Sequence, residues 1–291
     1  NIISGDREYV QHEIEFLPVP IEEAADQLVL AKWALRKTAY KYGLELSFAP
    51  KIIVGHAGNG LHIHSRLVKD GKNMIVDDTG SISDIGKKLI AGYLDLAPSL
   101  TAFGNTVPTS FLRLVPHQEA PTTICWGDRN RSVLVRVPLG WTGKGVEGMI
   151  NDANPKEEAA PKTYINNQTV ELRSPDGSAN VYQLLAGLAV AARYGLENQE
   201  SLKIAEKLYV SENINKKDQL SLENLPDSCF EAGKMLKKHR EVYEKYDIFP
   251  SIMIDSLAES LTEFNDKKLS EEMFGNGDAL QKLVDTYFHC G

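Results

Sequence analysis

Two short stretches hold the residue types best suited to chemistry: Gly58-Asn59-Gly60-Leu61-His62-Ile63-His64 and Glu171-Leu172-Arg173-Ser174-Pro175-Asp176. Each alternates polar and apolar side chains, as a strand buried on one face does. His62 and His64 share one face of the first, and Glu171 and Arg173 share one face of the second. A third alternation, over residues 11–16, presents Glu13 opposite Ile14. Carboxylates beside an imidazole suit a hard divalent ion such as Mg²⁺ or Mn²⁺. Guanidinium groups suit phosphate and carboxylate through their planar fork. Between the two stretches lie Arg113, Arg129, Arg131 and Arg136, with Pro116 and Glu119 following Arg113 in a loop. Metal ligands and arginines together point to phosphoryl transfer from a metal-bound nucleotide.

Taken singly, each signal has a plainer reading. His62 alone fits a hydrogen-bonded core histidine. Glu171 with Arg173 fits a cross-strand ion pair. Glycine runs usually mark tight turns, and an arginine cluster can be solvated surface. Their co-occurrence is what favours a site.

The elements that must position these groups follow from the hydrophobic pattern. Residues 11–16 and 44–48 read as strands, the first stopped by Pro18 and Pro20. Residues 21–42 place Ala24, Leu28, Ala31 and Leu35 at helical spacing, with Pro20 ahead and Gly43 behind. Asp70-Gly71 predicts a turn. Residues 83–97 read as a helix stopped by Pro98, residues 132–138 and 169–173 as strands, and residues 180–194 as a strongly apolar, buried helix. Residues 142–162, rich in Gly, Pro and charge, predict a surface insertion, and helices dominate from about residue 201. Strands early and helices late predict an α+β fold rather than repeated βαβ units. If the polar strands share one sheet, helices cover its apolar face.

The chain has 291 residues with 42% hydrophobic and 25% charged residues, an ordinary globular balance. A net charge of −8 argues against broad nucleic-acid binding. No run approaches the length of a membrane span, and no signal peptide is visible. Cys125, Cys229 and Cys290 form no metal or disulfide pattern, which predicts a reducing, cytoplasmic setting.

The order of these motifs resembles the catalytic domain of the glutamine synthetase family. Gly58-Asn-Gly-Leu-His62-Ile-His64 is similar to the family's Gly-x-Gly-Met-His-x-His. Arg113-Leu-Val-Pro-His-Gln-Glu119-Ala-Pro is similar to its Arg-Leu-Val-Pro-Gly-Tyr-Glu-Ala-Pro loop. Arg129-Asn-Arg131-Ser with Arg136, Glu171-Leu-Arg173-Ser-Pro-Asp with Ala179-Asn-Val-Tyr182, and Gln11-His-Glu13 match three further motifs. The resemblance implies a curved, mostly antiparallel sheet with helices on its outer face, a guanido-kinase-like fold, spanning residues 1–291 with a helical subregion about 196–291. It implies metal ligation by Glu13, His62 and Glu171, and phosphate binding by His64, Arg131 and Arg136. It further implies substrate binding by Gly58, Arg113 and Arg173, and catalytic roles for Glu119 and Arg131. The implied reaction joins ammonia to L-glutamate through a γ-glutamyl phosphate, with ATP and Mg²⁺ or Mn²⁺. The implied assembly is a homo-oligomer, dodecameric rings in the intact family, with neither nucleic acid nor membrane as partner.

Departures bear on that expectation. The family's small β-grasp domain and its upstream Glu-x-Glu strand do not occur in the sequence, so the chain reads as a catalytic-domain fragment, expected to be inactive alone. Val10, Ala57 and Arg66 stand where the family carries Gly, Asn and Ser, and His117-Gln118 replaces Gly-Tyr in the closing loop. These keep two alternatives open: a γ-glutamyl ligase using another amine, and a non-catalytic paralogue.

Overall fold

The computed structural model describes residues 2–4, 7–115, 120–139, 167–211, 221–273 and 275–291. A hairpin of β1 (Ile2–Ser4) and β2 (Arg7–Tyr9) leads through an irregular segment to helix α1 (Ile21–Lys41). Strand β3 (Ile63–Ser65) precedes a hairpin of β4 (Val68–Lys69) and β5 (Lys72–Asn73), turned at Asp70-Gly71 as expected. Helices α2 (Asp84–Asp95), α3 (Ala97–Gly104) and α4 (Pro108–Arg113) follow. Then come β6 (Trp126–Asp128), β7 (Val135–Val137) and β8 (Val170–Leu172). The rest is helical: α5 (Val181–Glu197), α6 (Ser201–Lys207), α7 (Cys229–Lys238), α8 (Arg240–Glu244), α9 (Ser251–Glu263), α10 (Leu269–Glu272) and α11 (Gly277–Thr286).

The strands form small open sheets, the largest with the order β3-β8-β7-β6. Its neighbours are antiparallel except β6 and β7, which run parallel. Only residues 129–134 join that parallel pair. The turn is made by Arg129 in the left-handed region (φ 55°) and by the Asn130 carboxamide, which accepts from Ser132 N at 2.9 Å and Ser132 Oγ at 2.7 Å. Asn and Asp tolerate such turns through local side-chain bonds. Leu134, Val135 and Leu172 are buried, and α2 lies against β7 and β8. Helices α2 and α5 pack closely, because Gly92 and Gly195 let their backbones approach. In the same core, Phe103 on α3, Tyr243 on α8 and Phe249 stack with ring centroids 5.0–5.8 Å apart.

Two expected strands do not form. Residues 11–16 make no ladder, since no strand edge in the described residues pairs with them. Alternation specifies a half-buried face but does not supply the neighbour that a ladder needs. Residues 44–48 are diverted by the end of α1. Gly43 adopts φ 68° and Leu44 N donates to Ala39 O at 2.9 Å, the Schellman closure of a helix. Ser47 Oγ then donates to Phe288 O. The helix expected over residues 83–97 breaks at Leu96, and Pro98 falls in the first turn of α3 rather than stopping α2. A proline there forfeits no helical bond. Strand β7 covers only part of the expected 132–138, and the insertion expected over 142–162 lies outside the described residues.

Candidate active site

The sheet register brings the polar residues of three strands into one row. His64 of β3 pairs with Glu171 of β8, and Arg136 of β7 pairs with Glu171 from the other side. Directly opposed residues point to the same face, so imidazole, carboxylate and guanidinium meet there because of pairing, not proximity in sequence. The Glu171 carboxylate is the hub and is 2% exposed. His62 Nδ1 lies 3.1 Å from its Oε1, Arg173 Nε 3.3 Å from the same oxygen, and Arg136 Nε 3.1 Å from Oε2. Neither arginine Nε is aligned for a hydrogen bond, and Glu171 Oε2 is buried without one. The attraction to the arginines is therefore charge on charge. Burial by itself would raise the Glu171 carboxyl, but the His62 bond and the Arg136 charge outweigh it and hold Glu171 below the usual carboxylate range. His64 Nδ1 sits 3.0 Å from Thr169 Oγ1, and partial desolvation lowers it against the opposing pull of Glu171.

The glycine loop closes over this row. Asn59 N donates to Pro50 O at 2.9 Å, Asn59 Nδ2 to Ala49 O at 2.8 Å, and Leu61 N to Pro175 O at 2.8 Å. A Cβ at Gly60 would stand 2.6 Å from Arg113 Nη2 and 2.9 Å from His62 Nε2, and one at Gly58 would overlap Pro50 O. These glycines are thus required by close approach. Gln11 Nε2 donates to Asn59 Oδ1 at 2.8 Å and to Gly58 O at 3.3 Å, tying the segment that carries Glu13 to the loop.

Arg113, at the end of α4, is 4% exposed. Its Nη1 donates to Ser174 O at 2.7 Å and Pro175 O at 3.3 Å, and its Nη2 to Arg173 O at 3.1 Å. Arg173 Nη1 in turn donates to Arg131 O. Burial lowers Arg113 to about 10; the Asp176 charge resists that shift and the Arg173 charge adds to it.

Of the residues singled out in the sequence, His62, His64, Glu171, Arg136 and Arg173 are brought together, with Arg113 and Gly58 beside them. Arg131 lines the same groove, whereas Arg129 is exposed on its left-handed turn and does not line it. Glu13 is exposed on the groove wall and bonds none of the others in any described contact. Glu119 lies outside the described residues. Among the described residues no three His, Cys, Asp or Glu side chains converge closely enough to hold a metal ion. The groove is open and encloses about 2620 Å³, well beyond the ~300–1,000 Å³ of a ligand-tight pocket. Reading the sequence for charge gave no role to Asn59, which ties the glycine loop to Gln11 and Ala49, to Thr169, which contacts His64, or to Asn105 and Asp176, which bond each other beside the Ser174 carbonyl that Arg113 uses. Asp176, in the Pro175-Asp176-Gly177 turn, carried a visible turn signal; the others carried none.

The description "Glutamine synthetase, catalytic domain" is that of the family whose model matches residues 4–264. The glutamine synthetase of Pyrococcus furiosus is 37% identical over 239 residues, covering 80% of this chain and 48% of that protein. The Mycobacterium bovis glutamine synthetase is 31% identical over 250 residues, covering 84% and 47%. The chain spans about half the length of the curated relatives it matches. Among solved structures, the Plasmodium falciparum glutamine synthetase gives a TM-score of 0.64 at 21% identity, covering 86% of this chain and 52% of that one. A crystal structure described as a novel glutamine synthase homolog gives 0.63 at 22% identity, covering 91% and 53%. The two structures show a shared fold, and the match over residues 4–264 extends it to the sequence. This chain belongs to the glutamine synthetase catalytic-domain family.

Proposed function

We propose that this domain carries the phosphoryl-transfer and ligation chemistry that joins ammonia to L-glutamate at the expense of ATP. The observation that supports it is the convergence of His62, Arg136 and Arg173 on the buried Glu171 carboxylate, facing one open groove. An oxygen of the glutamate γ-carboxylate would attack the γ-phosphorus of ATP, forming an O–P bond as the bond to ADP breaks. The nitrogen of ammonia would then attack the acyl carbon, forming the C–N bond and releasing phosphate. In this reading Arg131, Arg136 and His64 hold the phosphate oxygens where charge develops. Arg113, Arg173 and the Gly58 backbone hold the amino acid. Glu119 helps form the pocket for the ammonium and closes the site against water.

A divalent ion fits part of what is present: His62 and Glu171 supply two donors, Glu171 Oε2 is buried without a hydrogen bond, and Glu13 lines the same groove. Mg²⁺ or Mn²⁺ bound there would neutralise phosphate charge. The remaining ligands, and the homo-oligomeric assembly expected for the family, lie beyond this chain's described residues.

The test is release of phosphate from ATP by protein containing this domain. It is expected to require both L-glutamate and Mg²⁺ or Mn²⁺, with hydroxylamine trapping a γ-glutamyl hydroxamate. Phosphate release indifferent to glutamate, or no release at all, would overturn the proposal. Comparing ammonia with polyamines and ethanolamine as acceptors identifies the amine.

A further inference from the structure

Asp176 is fully buried, and among the described residues no Lys or Arg nitrogen pairs with its carboxylate. Its two oxygens rest on neutral donors: Asn105 Nδ2 at 2.8 Å on Oδ2 and Ser178 N at 2.9 Å on Oδ1. Its own N–H donates to Gly104 O at 3.0 Å. A carboxylate withdrawn from water without a direct counter-ion is unfavourable unless its charge serves something nearby.

Two cations feel that charge, Lys32 and Arg113, and the hydrogen-bond path leads to Arg113. Asn105 is also fully buried, and its Nδ2 donates to Ser174 O at 2.9 Å as well as to Asp176. The same Ser174 oxygen accepts Arg113 Nη1 at 2.7 Å. A continuous link therefore runs from the Asp176 carboxylate through Asn105 and one shared carbonyl to the guanidinium. Arg113 Nη2 reaches the carbonyl of Arg173, so the link ends on the backbone that carries the second arginine. Arg113 itself has no carboxylate within ion-pair distance among the described residues, and Asp176 is the acid whose field acts on it. Glu171, by contrast, is already shared by Arg136, Arg173 and His62.

We propose that Asp176 is the positioning residue and buried counter-charge of Arg113: through Asn105 and the Ser174 carbonyl it fixes where that guanidinium stands, beside Arg173, to receive a carboxylate-bearing substrate. This rests on the reading of the groove as an amino-acid site given above. Asp176 touches no substrate. Its charge offsets part of the cost of burying the Arg113 guanidinium, so that Arg113 meets an incoming carboxylate already desolvated and oriented.

The test compares Asp176→Asn with the wild-type protein in two measurements. The first is equilibrium binding of L-glutamate, of γ-aminobutyrate (the same chain without the α-carboxylate) and of Mg-ATP. The second is hydrogen exchange of the Arg113 side-chain N–H groups by NMR with no ligand present, the signal assigned by its loss in Arg113→Lys. Asp176→Asn is expected to weaken L-glutamate binding by about tenfold or more and to speed Arg113 exchange by a similar factor. Binding of γ-aminobutyrate and Mg-ATP is expected to stay unchanged, a split that general loss of structure would not produce. Unchanged glutamate affinity with unchanged exchange overturns the proposal, as does a uniform loss of all three ligands. If wild-type protein binds no glutamate, the amino-acid reading falls on its own, and unchanged Arg113 exchange in the variant then overturns the role of Asp176 separately. Should Asp176→Asn fail to fold, Asn105→Ala cuts the same link from the other side with the charge left in place. Weaker glutamate binding and faster exchange are expected there too, and wild-type values for both overturn the proposal.

Discussion

Glu171 illustrates how one residue can be both a structural hub and a chemical group. It stands 2% exposed among three cationic or potentially cationic side chains. Its removal would strand Arg173, itself 6% exposed, without compensating charge. Breaking a buried pair in this way typically costs ~3–5 kcal/mol, so Glu171→Ala is expected to lower the thermal midpoint sharply. Glu171→Gln keeps the shape and removes only the charge, which makes pH the cleaner probe. The native carboxyl is held below its ordinary 4.5. A depressed carboxyl contributes stability that is complete above its unfolded value and is lost as pH falls through the native one. The stability gap between wild type and Glu171→Gln, from urea unfolding, should therefore be full above pH 4.5 and close progressively in more acid solution. A gap independent of pH would show that the charge contributes nothing.

The elements depend on contacts that their own sequences only partly encode. Helices α2 and α5 touch through glycine: a Cβ at Gly195 would overlap Lys88 O and stand 2.8 Å from Gly92 Cα. Alanine at position 195 would gain helix propensity of up to ~1 kcal/mol. Overpacking costs ~1–3 kcal/mol, and here the obstacle is backbone, which cannot rotate aside. Gly195→Ala is thus expected to be net destabilising by about 1–2 kcal/mol in denaturant unfolding. Helix α7 depends on a distant residue in a different way. Asp266, 7% exposed, accepts Cys229 N and Phe230 N, both at 3.0 Å, and so places a carboxylate at the positive end of the helix. Asp266→Ala orphans both N–H groups and should cost about 1–2 kcal/mol by the same measurement.

At the scale of the whole chain, residues 288–291 contact α1 and the segment that follows it. Arg36 Nη2 donates to Gly291 O, Ser47 Oγ to Phe288 O, and Lys32 Nζ to Gly177 O at 2.9 Å. Lys32 and Arg36 both lie over the Phe48 ring, 5.4 and 5.0 Å from its centroid. Residues 288–291 and Gly177 thereby hold α1 and the segment after it, with Lys32, Phe48, Gly177 and Phe288 lining the same groove as the candidate site. Deleting residues 288–291 should free α1 locally without unfolding the body. Trypsin is then expected to cut after Arg36, Lys37 or Lys41 several-fold faster, while circular dichroism stays near wild type. Equal cleavage rates would mean that α1 is held by its other contacts alone.

The α+β class, α1, the buried helix α5 and the identity of His62, His64, Glu171, Arg136 and Arg173 were all legible in the residues, because periodicity and side-chain chemistry are local properties. The family resemblance was equally legible, since it rests on the order of short motifs. Strand partners were not. Residues 11–16 carry the alternation of a strand yet form no ladder among the described residues, and the parallel join of β6 to β7 turns on a left-handed Arg129 and the Asn130 carboxamide. Nor could spacing reveal that Asn105 and Asp176, 71 positions apart, are hydrogen-bonded behind Arg113. Side-chain type sets what a residue can do at any position, but a charge acts through distance and desolvation. Only the folded chain fixes those.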